Sequence, residues 1–449
     1  MRFIGVSIAL ASCFVTTISL AKVSPQEAER LGKDLTPMGA EKKGNKTGTI
    51  PAWTGGIKKP IAGYESGKFH PDPYKKDRVV LVIDHTNVDQ HSSKLTAGQI
   101  ALVKANPTYF MNVYPSHRSA AYPQFVYDQV KKNATTAELQ KYGSGVTNTL
   151  TSSPFPIPKN GLEILWNHTL RFRGLNSSYI ASTASTTPNG SKSVTTREYK
   201  YHWSYSQPDI TLEDIDNKIF LMKRKTLAPA KLSGQMTLVH ETLDQVHSPR
   251  KSWIYMPGQR RVRRTPDLAY DTADIDSNGI RTVDQVDMFN GAPDFYDWTL
   301  VGKQEKYVPY NAYKVHDGEL SVDDIVGPKH ITPELLRFEL HRVWVIEAKL
   351  RVGMSHIYTK RRYYVDEDTW QILVAEEYVE DGLLTQVSEA HTITHYEVPL
   401  VFSTLETTYD LEEKRYYVEG LDNGRSPMNF DVSFNRREFT SSAMRREAK

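Results

Sequence analysis

The chain has 449 residues, 24% charged and 39% hydrophobic, with a formal net charge of +3. So small an excess creates no field of the kind nucleic-acid binding draws on, and the length is ample for a self-sufficient core. The only cysteine is Cys13, which excludes a disulfide framework.

Met1–Ala21 carries a single Arg2, a nearly unbroken apolar run from Phe3, and small residues at Ser19 and Ala21. That anatomy predicts a cleavable export signal and a periplasmic location. Leu10-Ala11-Ser12-Cys13 offers an alternative, a lipoprotein anchored through Cys13. The apolar run before Cys13 is short, however, and hydrophobicity continues to Leu20, which favours cleavage after Ala21. No second long apolar run follows, so no transmembrane span is expected in the mature chain.

Ser24-Pro25-Gln26-Glu27 combines an N-cap, a proline at the first helical position and a capping-box glutamate, predicting a short helix stopped by Gly32. Leu35 to Asp77 is rich in Gly, Pro and Lys and has no usable period. It reads as an irregular segment draped over the domain, because Trp53, Tyr64 and Tyr74 need something to pack on. Arg78 to Asp84 has strand composition. Thr96 and Gln99 form a capping pair ahead of a helix that stops before Pro107. Thr135 to Glu138 predicts another helix start, ending at Gly143. A Ser/Thr/Pro-dense loop from Gly143 to Asn160 marks the boundary of a β-rich core.

Strand composition dominates from Gly161 onward, in Leu162–Arg173, Thr195–Ser206, Leu232–Thr242, Ser252–Met256, Leu300–Tyr307 and Ile393–Val401. An acidic loop region runs from Asp271 to Asp297. The most regular stretch is Phe338 to Val379, where Trp344, Ile346, Ala348 and Leu350 are apolar at a spacing of two with Glu347 and Lys349 between them. That is the period of a half-buried strand. Turns at Gly353, at Asp366–Thr369 and at Asp381-Gly382 complete a β-meander. The expected fold class is α+β, β-dominated, with a broad antiparallel sheet and helices and loops laid against it. Its expected divisions are a signal peptide (1–21), an irregular and helical N-terminal region (22–160), the β-rich core (161–401) and a C-terminal extension (402–449), with Asp410–Tyr417 as an edge element.

No catalytic set is legible: there is no G-x-S-x-G elbow, no lysine-bearing phosphate loop, and no cofactor signature. The chain therefore reads as a binder and not an enzyme. Asp274, Asp276, Asn278 and Gly279 match the first half of a calcium loop, but Gln285 stands where the bidentate glutamate belongs, and an ordinary turn is favoured. His391 and His395, four apart on a Thr-rich strand, would lie about 13 Å from each other and cannot share one ion; His240 and His247 have the same difficulty, so no metal site is expected. Arg261 and Arg263, within Arg260–Arg264, are candidates for an anionic head group. Met236, Leu238, Trp253, Tyr255, Trp344 and Ile346 are the candidates for an apolar ligand-binding face.

Several stretches then resemble a known family: WNHTLRFRG (Trp166–Gly174), YMPGQRRVRR (Tyr255–Arg264), FNGAPDFYDWTLVGKQEKYVPYN (Phe289–Asn311), ELHRVWVIEA and HIYTKRRYYVDEDTW between Glu339 and Trp370, and VYPSHRSAAYPQFVYD near residue 120. They are similar to exported bacterial proteins catalogued as a domain of unknown function and grouped with the outer-membrane lipoprotein-sorting proteins LolA and LolB. The resemblance implies a large curved antiparallel sheet, a half-barrel with helices packed on its concave face and an apolar cavity for a lipid or other hydrophobic small molecule. It also implies partners: an inner-membrane exporter of the resistance-nodulation-division class and an outer-membrane protein. The long N-terminal region departs from LolA-sized proteins and raises a second reading, a periplasmic adaptor of an envelope transport complex whose cavity is filled by its own chain. A third reading is an unrecognised hydrolase or acyl transferase.

Overall fold

The computed structural model describes residues 22–448. The expected export signal and Cys13 lie outside the described residues. The helices are α1 (Pro25–Ala28), α2 (Ala97–Ala105), α3 (Gln124–Thr136), α4 (Gly161–Thr169), α5 (Val322–Ile325) and α6 (Ser441–Glu447). The first strands are β1 (Leu81–Ile83), β2 (Met111–Tyr114), β3 (Glu138–Leu139), β4 (Val146–Thr147), β5 (Asn176–Thr186), β6 (Lys192–His202), β7 (Lys218–Ala228), β8 (Met236–Thr242), β9 (Lys251–Met256) and β10 (Arg261–Arg264). The remainder are β11 (Tyr296–Pro309), β12 (Phe338–Leu350), β13 (Lys360–Asp366), β14 (Ile372–Tyr378), β15 (Leu384–His395), β16 (Leu400–Asp410) and β17 (Arg415–Leu421).

All strands but β3 and β4 join one 15-stranded sheet, in the order β1-β2-β12-β13-β14-β15-β16-β17-β5-β6-β7-β8-β9-β10, with β11 also on β12. It is β-dominated α+β, as expected, with one departure from a purely antiparallel sheet: β2 runs parallel to β12. The ends, β1 and β10, have no pairing with each other among the described residues, so the sheet is open and not a closed barrel. The β12-to-β15 meander forms as its alternation predicted. The expected extension is different. β16 and β17 stand in the middle of the sheet, where β17 pairs with β5 and joins the two halves of the chain. Asp410–Tyr417 is an interior hairpin, because Tyr409 and Tyr416, each nearly or fully buried, need the flanking strands as cover.

Cross-strand partners share a face, so the register defines two surfaces. From Ile346 the partners run through Tyr363, Ala375, Ser388, Thr408 and Tyr417 to Ser185 and Ser193. This inner face is covered beside β12–β15 by α3 and α4, through Val126, Val130, Ile164 and Leu165. The outer face there is covered by α2, where Leu102 and Val103 join Val343, Val345 and Val374. A Cβ on Gly98 would stand 2.6 Å from Val387 Cγ2, so only glycine lets α2 lie this close to β15.

Two helix expectations need correction. Leu162–Arg173 begins as α4 and not as a strand: Asn160 Oδ1 accepts from Glu163 N–H at 3.0 Å, an N-cap signal stronger than the local β composition. The helix expected from Thr135 to Gly143 ends where it was expected to start. α3 occupies Gln124–Thr136, with Val126, Val130 and Ala134 buried at four-residue spacing. The capping pair of α2 forms as predicted, with Thr96 N–H donating to Gln99 Oε1 at 3.1 Å and Gln99 N–H to Thr96 Oγ1 at 3.2 Å.

Candidate functional site

On the inner face, β5, β6, β7, β16 and β17 leave a cavity of about 130 Å³. Its wall is aromatic because successive inward positions on the strands carry rings: Tyr179, Tyr199, Tyr201, Phe220 and Phe402, with Trp203 just past β6. Tyr179 stacks on Tyr199 at 4.9 Å and Tyr201 on Trp203 at 5.0 Å. The Arg173 guanidinium lies 4.3 Å from the Trp203 ring, a cation–π contact strengthened by burial.

The acidic loop expected between Asp271 and Asp297 is the roof. Val286, Asp287 and Asn290 line the cavity, and the loop is strapped down by buried and half-buried arginines. Arg197 Nη2 meets Asp276 at 2.7 Å, and Arg224 pairs with the same carboxylate. Arg281 bridges Asp274 at 2.8 Å and Glu419 at 2.6 Å. Arg361 holds Asp284 at 2.8 Å, and Arg171 and Arg173 converge on Asp287. Asp274 and Asp276, read as half a calcium loop, are thus committed to guanidinium, with Asn278 at φ 53° and Gly279 at φ 73° turning the chain. The turn reading holds.

Polar groups facing the cavity remain open. Trp203 Nε1 and Arg173 Nε are buried without a hydrogen-bond partner among the described residues. Glu406 sits between the roof and Glu419. Burial first, and then the Glu419 carboxylate, raise its pKa from 4.5 to about 8. A carboxyl whose folded pKa is raised binds its proton more tightly folded than unfolded, so stability falls as pH rises through the window from 4.5 to about 8. Glu377, raised to about 8 by burial, acts with the same sign. We expect Glu406→Gln to flatten the decline of Tm over that window and to be the more stable form at its upper end. Parallel wild-type and variant Tm–pH profiles would refute the assignment.

Residues 82–445 match the family model described as "Protein of unknown function (DUF1329)". An uncharacterized protein of Pseudomonas aeruginosa is 42% identical over 440 residues, spanning 98% of this chain and 97% of that protein. The chain belongs to the DUF1329 family. Among solved structures, the chain is similar to a putative outer membrane lipoprotein-sorting protein domain from Vibrio parahaemolyticus (13% identity, 64% of this chain, 98% of that chain, TM-score 0.43). A DUF1329 family protein from Desulfovibrio piger (17%, 60%, 92%, 0.39) and a LolA superfamily protein from Nitrosomonas europaea (16%, 63%, 98%, 0.35) are also similar.

In this DUF1329 chain the six apolar candidates fall on opposite faces of the sheet. Trp344 and Ile346 are inward but packed in the core under α3 and α4, with Trp344 stacked near Trp370 and under Lys303 Nζ at 4.6 Å. Met222 pairs with Val239, and Leu238 with Trp253, which puts Met236, Leu238, Trp253 and Tyr255 on the outer face. There Phe439 and Met444 of the C-terminal segment cover them. None of the six lines the cavity. Period-two alternation identifies the buried side of each strand but cannot say which sides face each other once both faces are covered. Arg261 and Arg263 are exposed on β10, the sheet's edge strand, with no ion pair within 4.0 Å among the described residues. The wall of this cavity has a signal in the sequence: Tyr199, Tyr201 and Trp203 alternate within the stretch expected as a strand.

Proposed function

We propose that this protein is a periplasmic carrier or accessory factor that holds a hydrophobic molecule on the inner face of its sheet. It would pass that molecule between an inner-membrane exporter and the outer membrane. The observation behind the reading is the ring-lined cavity enclosed between strands and an arginine-fastened roof. Sites for drug-sized ligands run to about 300–1,000 Å³, whereas this one measures about 130 Å³, so loading requires the roof to lift. The reading assigns the protein binding and not catalysis. Among the described residues no helix is long and apolar enough to cross a membrane, and Arg261 and Arg263 on the free edge offer a place to meet an anionic head group or a partner.

One observation favours the second reading, a periplasmic adaptor with a self-filled sheet: the chain's own α3, α4 and C-terminal segment occupy both apolar surfaces around β12–β15 and β8–β10. Mass spectrometry of an organic extract from protein purified out of periplasm without detergent separates the two. The carrier yields a stoichiometric hydrophobe that Tyr201→Asp loses and Arg261→Ala keeps. A clean extract from folded wild-type protein overturns the carrier and leaves the adaptor.

A further inference from the structure

Beside the cavity, three buried histidines come together from distant parts of the chain. His70 lies in the draped N-terminal segment, His316 in the loop after β11, and His395 at the end of β15; they are 5%, 1% and 2% exposed. Glu397, in the turn after His395, completes the group. The His70 and His395 rings meet edge to face at 4.7 Å, and one donor atom from each of His70, His395 and Glu397 lies within 4.8 Å of the others. His70 Nε2 is 2.7 Å from Glu397 Oε2. His395 Nδ1 is 3.9 Å from Glu397 Oε1, too far for a hydrogen bond, and has no partner among the described residues.

An aromatic cluster of neutral histidines is the plain alternative, and Tyr64 and Phe430 do pack against it. It leaves His395 Nδ1 unexplained, since buried polar atoms are nearly always bonded. Two atoms bound to one tetrahedral ion at about 2.0–2.1 Å sit about 3.3 Å apart, so the His395–Glu397 gap needs to close by only a fraction of an ångström.

We propose that His70 Nε2, His395 Nδ1 and the Glu397 carboxylate form a site for a zinc-like divalent ion, with a fourth coordination position left open. Two imidazoles and a carboxylate, with no thiolate, suit zinc in such an open arrangement. The surroundings supply the second layer that metal-binding histidines require. His70 Nδ1 is 3.3 Å from His316 Nε2. His316 Nδ1 is 2.8 Å from Thr404 Oγ1 and 3.6 Å from Asp422 Oδ1, itself without a hydrogen-bond partner. On binding, the His70 proton shifts from Nε2 to Nδ1 and points at His316 Nε2. The His316 proton shifts to Nδ1 and points at Thr404 and Asp422. Both rings stay neutral, and Glu397 and Asp422 balance the ion's two charges. His316, His395 and Asp422 also line the ring-walled cavity, so the ion would stand in its wall.

The test is calorimetric titration of zinc chloride into untagged, chelator-treated mature protein, with elemental analysis of the product. We expect one zinc per chain. His70→Ala and His395→Ala should each weaken binding by at least ~100-fold and Asp422→Asn by ~10-fold, while His247→Ala, at an exposed surface pair, leaves it unchanged. Glu397→Gln, whose side chain is 19% exposed, gives the same reading if a histidine variant does not fold. Absence of saturable binding by the wild type, or wild-type affinity in the His70, His395 and Glu397 variants, overturns the site. Zinc titration and hydrophobe extraction fail independently, so this result stands apart from the carrier reading.

Discussion

Asp287→Ala should destabilise the protein by ~3–5 kcal/mol, the cost of leaving buried charge without its partner, and should release the cavity roof. Arg171 and Arg173 have side chains only 2% and 7% exposed and both end on this carboxylate. Arg171 also donates to the His168 carbonyl at 2.7 Å and Arg173 to the Thr169 carbonyl at 3.0 Å. His168 is in turn 2.8 Å from the Asp287 carbonyl through Nε2. Asp287 therefore ties the last turn of α4 to the roof, and the pull of the two guanidiniums keeps its pKa below the usual carboxylate range against the effect of burial. Urea unfolding gives the stability loss, and hydrogen exchange over 283–291 reports the roof. Asp287→Asn keeps a residue that tolerates the left-handed backbone found there (φ 55°) and loses only the charge. A loss below ~1 kcal/mol with unchanged exchange would show that the arginines find other partners and that the roof is held elsewhere.

The second large effect is expected at Trp370, the largest fully buried side chain. Its ring fills the inner face beneath α3 and α4, and its Nε1 donates to the Met38 carbonyl at 2.9 Å, pinning the N-terminal segment to the meander. Trp370→Ala removes the ring and the bond together, for ~3–5 kcal/mol. Trp370→Phe keeps most of the volume but leaves the Met38 carbonyl without its donor, for about 1–3 kcal/mol. Urea midpoints measure both, and limited proteolysis near Met38 should quicken in the two variants. Equal stability of Trp370→Phe and wild type would show that Met38 finds another donor and that packing alone anchors this segment.

The range of each interaction decides whether it is legible in the sequence. The β12–β15 meander is a local object: alternation at Trp344–Leu350 and the acidic turn at Asp366–Thr369 specify strands and a hairpin whose partners are neighbours in the chain. The α2 capping pair spans three residues and was equally plain. α4 is not legible from its period, because its apolar residues also suit a strand, and the Asn160–Glu163 cap decides the matter.

The site is a different case. Its cavity is closed by contacts such as Arg173–Asp287 and Arg281–Glu419, between residues separated by 114 and 138 positions, and its histidine cluster joins His70 to His316 across 246. The amino-acid sequence by itself determined membership of a β-rich family, the strands and turns of its central meander, and the absence of a disulfide framework, because composition, period and turn chemistry act over a few residues. Only the tertiary structure decided which face each apolar row covers, that the acidic loop is a roof whose Asp274 and Asp276 pair with arginines, and that His395 meets His70 instead of His391. Those outcomes depend on where the draped N-terminal segment and the C-terminal segment come to rest on the sheet, and no periodicity encodes that.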